Sequence, residues 1–297
     1  MHDVERARFH AMGTDVTLIG PAASPAFPAS ATTVRSVFER EERRFSRFRA
    51  DSELSAVNAT TGEWTRVSIE VASVVGLALA AWRETGGRFD PTVLDAVIAA
   101  GYDRDFDEIL AGARAALRPP RPCGRAGEVQ LVGRRLWMPA GVGLDLGGIA
   151  KGWTVDVAAE AAVARGLAWA LVNAGGDLRI AGTAPAGGIE VAVEDPETTE
   201  ADAGRIVLDE GALATSSVTR RAWGDGLHHL IDPATARPAG GAVLQATVWA
   251  PTCAEAEVRA KEALLRGEAF LDRGAALLVL DDGRIVTNMT TRERILA

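Results

Sequence analysis

The stretch Asp145-Leu-Gly-Gly-Ile-Ala-Lys-Gly152 places a carboxylate, two adjacent glycines and a lysine directly before an alanine-rich segment that predicts a long helix. Glycines allow the backbone to approach a ligand closely, and the first N–H groups of a helix attract anions. Lys151 adds a positive charge, and Asp145 adds an acceptor for a sugar hydroxyl or a ring N–H. The stretch therefore predicts an anion site at the start of a helix. A tight turn without a ligand is the simpler alternative.

The length and composition of the chain are those of a globular protein. It has 297 residues, of which 47% are hydrophobic and 24% are charged. This length can bury a large core, as one domain or as two interlocked halves. The formal net charge of −8 argues against non-specific binding to nucleic acid or to an anionic membrane. A small, locally basic phosphate pocket is still compatible with an acidic surface.

The cysteines and the N-terminus give expectations about compartment. Cys123 and Cys253 are not spaced like metal ligands, and we expect two free thiols. The N-terminus lacks an apolar signal segment, and no stretch is long and apolar enough to span a membrane. We therefore expect a cytoplasmic protein with no membrane segment. An extracytoplasmic location would require that a leader had been removed.

Hydrophobic periodicity and turn residues predict the order of the elements. Helices are expected at 29–45, 51–58, 69–85, 90–101, from the Gly147-Gly148 pair to about 165, and at 253–266. Strands are expected at 14–20, 129–131, 135–138, 168–173, 177–182, 189–193, 206–208, 212–216, 228–232, 244–250, 275–280 and 284–288, with a loop at 119–124. Short strands come in clusters instead of alternating strictly with helices. This pattern favours an α+β fold with antiparallel sheets over a doubly wound sheet.

Five further segments contain residue types suited to binding or catalysis. They are Ala11-Met-Gly-Thr14 before the first predicted strand, Gly87-Arg-Phe-Asp-Pro-Thr-Val93, Asn173-Ala-Gly-Gly-Asp177, Ala214-Thr-Ser-Ser217 and His228-His-Leu-Ile-Asp-Pro233. The last segment allows a His–carboxylate pair, which makes His229 and Asp232 candidate catalytic residues. Each segment also has a purely structural interpretation: Asp90 is a plausible helix cap, and the Gly-Gly pair at 175–176 a plausible hairpin turn.

In this order, the motifs resemble those of the FAD:protein FMN transferase family, also called ApbE. The resemblance covers nearly the whole chain and includes Phe45-Ser-Arg-Phe48, Ser52-Glu-Leu-Ser55 and the segments quoted above. It implies an α+β fold of the T-fold-like kind, with antiparallel sheets and packed helices. It also implies that residues 1–297 form a single domain of two interleaved lobes, with FAD in the cleft between them.

The resemblance implies an enzyme that moves the FMN half of FAD onto a Ser or Thr hydroxyl of a target flavoprotein and releases AMP, usually with Mg²⁺. The implied partners are FAD and an acceptor flavoprotein with a Ser/Thr flavinylation motif. The FAD-binding positions fall on Met12, Phe48, Arg88, Phe89, Asp90, Asp145, Lys151 and Leu230. His229 falls beside the reacting phosphate, and the metal site falls on Gly148, Glu257, Ala260 and Lys261.

The chain departs from the family pattern on the metal-site helix. The family's Ala-Asp-x-x-x-Thr is here Ala256-Glu257-Val-Arg-Ala-Lys261. Glu257 can still ligate Mg²⁺, whereas the ammonium of Lys261 has no acceptor atom. One interpretation is a surface Glu–Lys pair spaced i, i+4. The other is that Lys261 replaces the metal, so that FAD binds without Mg²⁺ and transfer is slow or lost.

Two alternatives to a transferase follow from this departure. One is a flavin-binding protein of the same fold that has lost transfer, and the other is an FAD hydrolase that gives FMN and AMP. A smaller departure is Asp232-Pro-Ala-Thr-Ala236, where the family often has Asp-Pro-x-Thr-Gly. It predicts a reshaped turn after the histidines.

Overall fold

The computed structural model describes residues 3–112, 119, 123–198, 201–224 and 226–289. The helices are α1 (Phe27–Phe45), α2 (Glu53–Ala59), α3 (Ile69–Glu84), α4 (Leu94–Ala99), α5 (Phe106–Leu110), α6 (Ala150–Ala164) and α7 (Cys253–Arg266). The strands are β1 (Val4–Ala11), β2 (Thr14–Pro21), β3 (Trp64–Arg66), β4 (Gln130–Val132), β5 (Arg135–Trp137), β6 (Trp169–Ala174), β7 (Asp177–Gly182), β8 (Ile189–Glu194), β9 (Asp202–Leu208), β10 (Gly211–Ser217), β11 (Ala222–Trp223), β12 (Leu227–His228), β13 (Ile231–Asp232), β14 (Arg237–Pro238), β15 (Val243–Ala250), β16 (Ala276–Leu280) and β17 (Ile285–Thr287). Part of the predicted loop at 119–124, residues 120–122, lies outside the described residues.

The chain divides into two compact units, each assembled from separated stretches of sequence. Unit 1 consists of Met1–Arg40, Lys151–Ser217 and Ala242–Ala297. Unit 2 consists of Glu41–Ala150 and Val218–Gly241. The two units are described separately below.

Unit 1 is built on an eight-stranded sheet with the order β1-β2-β6-β7-β10-β15-β16-β17. Every neighbouring pair in this sheet is antiparallel. The predicted α+β class with antiparallel sheets is therefore confirmed. A second, two-stranded sheet of unit 1 pairs β8 with β9, also antiparallel.

The core of unit 1 lies on both faces of the large sheet. Alternate residues of β6 show this division, because successive side chains of a strand point to opposite faces. Ala170 and Val172 pack with buried residues of α1 and α6, whereas Trp169 and Leu171 pack with buried residues of β8 and β9. Since both faces are covered, β6 has an almost continuous apolar sequence.

Gly152 and Asp156 fix the start of α7 against α6. A Cβ atom at Gly152 would lie 2.5 Å from the carbonyl oxygen of Cys253, so only glycine permits this approach. The buried Asp156 carboxylate accepts hydrogen bonds from the N–H groups of Cys253 and Ala254, at 2.8 and 3.0 Å. Asp156 thus caps α7 from a neighbouring helix. Burial raises the pKa of Asp156, against these hydrogen bonds and the charge of Arg179.

Two tight turns lie side by side at one end of the large sheet. Met12-Gly13 joins β1 to β2 with φ values of 53° and 65°, and Gly175-Gly176 joins β6 to β7 with φ values of 60° and 91°. Left-handed conformations at both turn residues are typical of two-residue hairpins. The N–H of Gly175 donates to the carbonyl of Asp15 at 3.2 Å, which holds the turns together. The segment Ala11–Thr14 was expected before the first strand and instead connects the first two strands, because β1 was missed.

Unit 2 contains helices α2–α5, the antiparallel sheet β3-β5-β4 and two small hairpins, β11-β12 and β13-β14. Its small apolar cluster joins Ala96, Val97, Ala100 and Tyr102 to Ile231. The hairpin predicted around Gly133 is confirmed as β4 and β5.

Two predicted elements of unit 2 differ from the structure. The helix expected from Asp90-Pro91 begins only at Leu94. The Asp90 carboxylate accepts from the N–H of Thr92 at 2.7 Å, which holds Pro91 and Thr92 in a turn instead of a helix. The strand expected at 228–232 is two short strands, β12 and β13, with different partners.

Both cysteines within the described residues have free thiols, as predicted. Cys253 is fully buried at the first residue of α7. In the part of the chain that the structure describes, no helix has the length and apolar character needed to cross a bilayer.

Candidate functional site

In unit 1, Lys151 lies at the end of the sheet that holds the two tight turns. Its ammonium donates to the carbonyl oxygen of Ala174 at 3.1 Å and forms an ion pair with Asp177. Asp177 is buried and also accepts from the N–H of Thr215 at 3.3 Å. The positive charge predicted for the anion site is therefore fixed by the Asn173–Asp177 turn. It is also largely balanced by a carboxylate.

Glu257 and Lys261 form a second ion pair in unit 1, on α7. The ammonium of Lys261 lies 3.3 Å from Oε1 of Glu257, and the Gly152 N–H donates to Oε2 at 2.9 Å. The Glu257 side chain is 3% exposed and that of Lys261 is 19% exposed, so a surface Glu–Lys pair is the wrong interpretation. Burial raises the pKa of Glu257, and the charge of Lys261 is the main effect that opposes this rise. The charge of Asp177 raises the pKa further, and the charge of Lys151 lowers it.

We define the charged cluster as Lys151, Asp177, Glu257 and Lys261. Asp177 and Lys151 both affect the pKa of Glu257, so the four groups interact electrostatically. The cluster has two carboxylates and two ammonium groups, and it is neutral as a set. Thr215 and Thr247, whose hydroxyl oxygens are 2.9 Å apart, add polar groups on neighbouring strands.

In unit 2, Asp145 lies in the turn that precedes α6. Its Oδ1 accepts from the N–H of Gly147 at 2.7 Å, and its Oδ2 lies 3.1 Å from Nε of Arg47. The Gly147-Gly148 pair is therefore shaped by Asp145 itself, and both carboxylate oxygens have a protein donor. Gly148 lies in this turn and is half-buried.

Arg47 joins this turn to an aromatic cluster. Its guanidinium carbon lies 4.1 Å from the ring centre of Phe48 and 4.5 Å from that of Tyr102. The Tyr102 ring also contacts Trp223 and His229, at centroid distances of 5.4 and 6.5 Å. Burial raises the pKa of Tyr102, against the positive charges of Arg221 and Arg47.

His228 is held by the backbone around it, and Asp232 is held within its own turn. Nε2 of His228 lies 3.0 Å from the carbonyl oxygen of Ala239, and Nδ1 accepts from the N–H of Leu230 at 3.3 Å. His228 is thus a structural residue, and burial lowers its pKa. Asp232 accepts from the N–H of Ala234 at 2.9 Å, inside its own turn.

Three other predicted FAD residues of unit 2, Arg88, Phe89 and Asp90, lie in the segment that follows α3. Phe89 is buried, and its N–H donates to the hydroxyl of Thr85 at 3.1 Å. Arg88 lies in the same turn, with Nη1 3.5 Å from the carbonyl oxygen of Thr85. Burial raises the pKa of Asp90, against hydrogen bonds from Thr92. Leu230 is buried beside His228.

Comparison with known proteins identifies the family. Residues 12–280 match the family model described as "ApbE family". The chain is 30% identical over 254 residues to the FAD:protein FMN transferase of Vibrio cholerae, which covers 83% of this chain and 75% of the relative. It is 29% identical over 277 residues to the FAD:protein FMN transferase of Treponema pallidum, covering 84% of this chain and 74% of the relative. The chain belongs to the ApbE family.

Solved ApbE structures agree with this assignment. The crystal structure of the ApbE protein of Thermotoga maritima superposes with a TM-score of 0.85 at 26% identity, over 96% of this chain and 97% of that one. A His-to-Gly variant of the flavin transferase ApbE of Vibrio cholerae superposes with a TM-score of 0.80 at 26% identity, over 98% of both chains. The fold and the family inferred from the motifs are both confirmed.

Two of the four residues expected at the ApbE metal position, Ala260 and Lys261, offer no side-chain oxygen to Mg²⁺. This ion prefers six oxygen ligands in octahedral geometry. Both oxygens of Glu257 already accept from Gly152 and Lys261, Ala260 offers no side-chain oxygen, and Lys261 is itself a cation. Within the described ranges, no three His, Cys, Asp or Glu side chains group as metal ligands.

Three contributors to these clusters were not among the predicted site residues. Asp177 was noted only as part of a turn, although its position after Gly-Gly places it beside Lys151. Arg47 lies inside the quoted stretch Phe45–Phe48, but the residue it pairs with is remote in sequence. Tyr102 is the single tyrosine of the chain, and nothing in its neighbouring sequence indicated the aromatic cluster.

Proposed function

We propose that this protein is an FAD:protein FMN transferase. It moves the FMN moiety of FAD onto a Ser or Thr hydroxyl of a target flavoprotein and releases AMP. The observation that carries the proposal is the 30% identity to the Vibrio cholerae FAD:protein FMN transferase, which extends over 254 residues. The acceptor motif and the cytoplasmic location stay predictions from the sequence.

In this reaction the hydroxyl oxygen of the acceptor attacks the phosphorus of the FMN phosphate. The bond from that phosphorus to the AMP oxygen breaks, and the hydroxyl proton passes to a base. Phosphoryl transfer depends mainly on in-line positioning and on neutralisation of the phosphate charge. We assign FAD binding to Met12, Phe48, Arg88, Phe89, Asp90, Asp145, Lys151 and Leu230. We assign the base or phosphate-contact role to His229. Asp232 shapes the turn that follows the histidines, because its carboxylate accepts from the N–H of Ala234.

The backbone conformation of Met12 supports its assignment to FAD binding. A φ of 53° is unfavourable for a methionine, and such strain is concentrated at functional sites. The exposure of Phe48 supports the same assignment: this residue is 38% exposed, which leaves the ring accessible to a flat ligand. Phe89, being buried, would act through packing rather than through stacking.

We further propose that the Lys261 ammonium supplies the positive charge that Mg²⁺ gives to typical members of the family. Support comes from the 3.3 Å approach of its Nζ to the buried Glu257, whose other oxygen is held by Gly152. One ammonium replaces a divalent charge, so stabilisation of the transition state is smaller. This favours a second candidate function, an FAD-binding protein with weak or absent transfer.

The first experiment tests transfer itself. Purified protein is incubated with FAD and a peptide bearing a Ser/Thr flavinylation motif, in Mg²⁺ and in EDTA, while AMP release and peptide mass are followed. The control peptide has Ala in place of the acceptor residue. AMP release that requires the hydroxyl, with a flavin-labelled peptide, establishes the transferase. Equal release of AMP and FMN without any peptide indicates the FAD hydrolase instead, and binding without AMP indicates the flavin-binding protein.

The second experiment tests the role of Lys261 through binding. We expect the affinity for FAD to be the same in Mg²⁺ and in EDTA, and Lys261→Met to weaken it in both. The double variant Glu257→Asp, Lys261→Thr should gain a response to Mg²⁺. Arg259→Met is the matched control, because Arg259 forms an exposed i, i+4 pair with Glu255 on the same helix. FAD binding by the wild type that strictly requires Mg²⁺ would overturn the assignment.

A further inference from the structure

Arg47 has an unusual set of surroundings for an arginine. Its side chain is 9% exposed, and Asp145 is the one carboxylate that forms a salt bridge with it among the described residues. Arg44, of comparable burial, forms salt bridges with Glu41, Glu53 and Glu70. Arg47 is instead covered by the rings of Phe48 and Tyr102.

Nη2 of Arg47 has no acceptor among the residues that the structure describes. This nitrogen is buried. Guanidinium groups have five N–H donors, and buried donors are almost always satisfied in folded proteins. A buried donor without a partner in a family that binds a ligand indicates a position for a ligand acceptor.

The charge around Arg47 indicates the kind of acceptor. Nε of Arg47 lies 3.1 Å from Oδ2 of Asp145, so the positive charge is already balanced by one carboxylate. A second anion at the same guanidinium would have to compete with Asp145, whereas a neutral carbonyl oxygen would not. The ring of Phe48, exposed over 38% of its surface, lies directly against the guanidinium and offers an apolar face to a flat heterocycle.

We propose that Arg47 is a ligand-binding residue whose Nη2 donates to a carbonyl oxygen of the isoalloxazine ring of the flavin. This inference rests on the proposed function, because it takes FAD as the ligand. Arg47 has a second effect, since its contact with Asp145 also orients the carboxylate that holds the N–H of Gly147. The ring system and the Gly147-Gly148 turn are thereby linked through one guanidinium.

The test compares Arg47→Met and Arg47→Lys with the wild type, using riboflavin, FMN and AMP as probes. Riboflavin has the ring carbonyls without a phosphate, and AMP has a phosphate without the isoalloxazine ring. We expect Arg47→Met to lower the affinity for riboflavin and for FMN by about 10- to 100-fold, because a hydrogen bond from a charged donor is lost. The affinity for AMP should not change. The shift of the visible absorption band of riboflavin on binding should also decrease.

Arg49→Met is the matched control, because Arg49 is exposed and pairs locally with Asp51. If Arg47→Met does not fold, Arg47→Lys tests the same point. Lysine keeps the charge, but its single ammonium replaces the planar set of donors that reaches both Asp145 and the ring. We expect Arg47→Lys to bind riboflavin and FMN more weakly than the wild type and to bind AMP equally well.

Three results would overturn the inference. The first is an unchanged affinity for riboflavin in folded Arg47→Met. The second is an equal loss of affinity for AMP and FMN with riboflavin binding unaffected, which would indicate that Nη2 donates to a phosphate. The third is an equal loss for all three probes, which would indicate a structural role. Failure of the proposed function would look different: the wild-type protein would transfer no FMN to an acceptor, whereas this inference is decided by how Arg47 variants change riboflavin binding relative to the wild type.

Discussion

The N–H of Gly152 donates a hydrogen bond to Oε2 of the buried Glu257 at 2.9 Å, across 105 positions of sequence. Gly152 is the last residue of the Asp145–Gly152 stretch, and Glu257 lies on the helix where the chain departs from its family. One hydrogen bond thus joins the two most informative segments of the sequence. It also uses one lone pair of the carboxylate that the resemblance places at the metal position.

The close approach of α6 to α7 depends on the missing side chain of Gly152. In Gly152→Ala, the new Cβ would lie 2.5 Å from the Cys253 carbonyl oxygen, so the helices must separate. We expect a loss of about 1–3 kcal/mol in the free energy of unfolding, measured in urea. Gly76→Ala is the control, because Gly76 also lies in a helix and its Cβ would meet only Leu131 at 3.6 Å. That variant should gain about 0.5–1 kcal/mol; equal effects of the two substitutions would contradict the packing argument.

The cap that Asp156 provides for α7 should make a large contribution to stability. Asp156→Ala removes acceptors from the N–H groups of Cys253 and Ala254 and leaves Arg179 without its buried partner. We expect a loss of about 2–4 kcal/mol in thermal or urea unfolding. Glu160→Ala removes the other carboxylate of Arg179, which is 60% exposed, and should cost less than about 1 kcal/mol. A similar cost for both variants would show that the cap is unimportant.

Ala236 keeps a left-handed conformation, with φ of 57°, at the position where the family often has glycine. An alanine in this conformation carries local strain, because its Cβ crowds the neighbouring backbone. Ala236→Gly should raise the free energy of unfolding by about 0.5–1 kcal/mol, because glycine adopts this φ without steric conflict. Ala234→Gly, in the same turn but without a positive φ, should lower it by a similar amount. Destabilisation by both substitutions would contradict the strain.

His228 should make stability depend on pH. Burial lowers its pKa below the ordinary value of 6.5, so the unfolded chain binds the proton more readily than the folded one. The stabilising contribution is full above pH 6.5 and is lost as the pH falls through the folded pKa. We expect the wild type to lose more stability than His228→Gln between pH 7 and pH 5. An NMR titration that places the pKa of His228 at or above 6.5 would contradict this.

Much of the fold could be predicted because its signals are local. The Gly175-Gly176 hairpin, the strands on either side of it and the span of α7 follow from turn residues and periodicity in a few neighbouring residues. Predictions failed where a side chain competed locally with the expected element. Asp90 was expected to cap a helix at Pro91, and its hydrogen bond with Thr92 forms a turn instead.

The candidate site was predicted less completely, because its partners are remote in sequence. The motifs indicated Lys151, Asp145 and Glu257 as residues of interest. They did not indicate that Asp177 would pair with Lys151 or that Arg47 would pair with Asp145. Residue type and spacing report the chemistry that a segment offers, but not which groups neutralise one another.

By itself, the sequence determined the family, the α+β class and the presence of Lys261 where the family pattern has a threonine. These properties follow from the order of residues along the chain. Only the tertiary structure decided that Lys261 and Glu257 form a buried pair, and that Nη2 of Arg47 lacks an acceptor among the described residues. Burial and pairing depend on which distant segments pack together, and they set the energy of a charge because a desolvated ion requires a partner that water no longer provides.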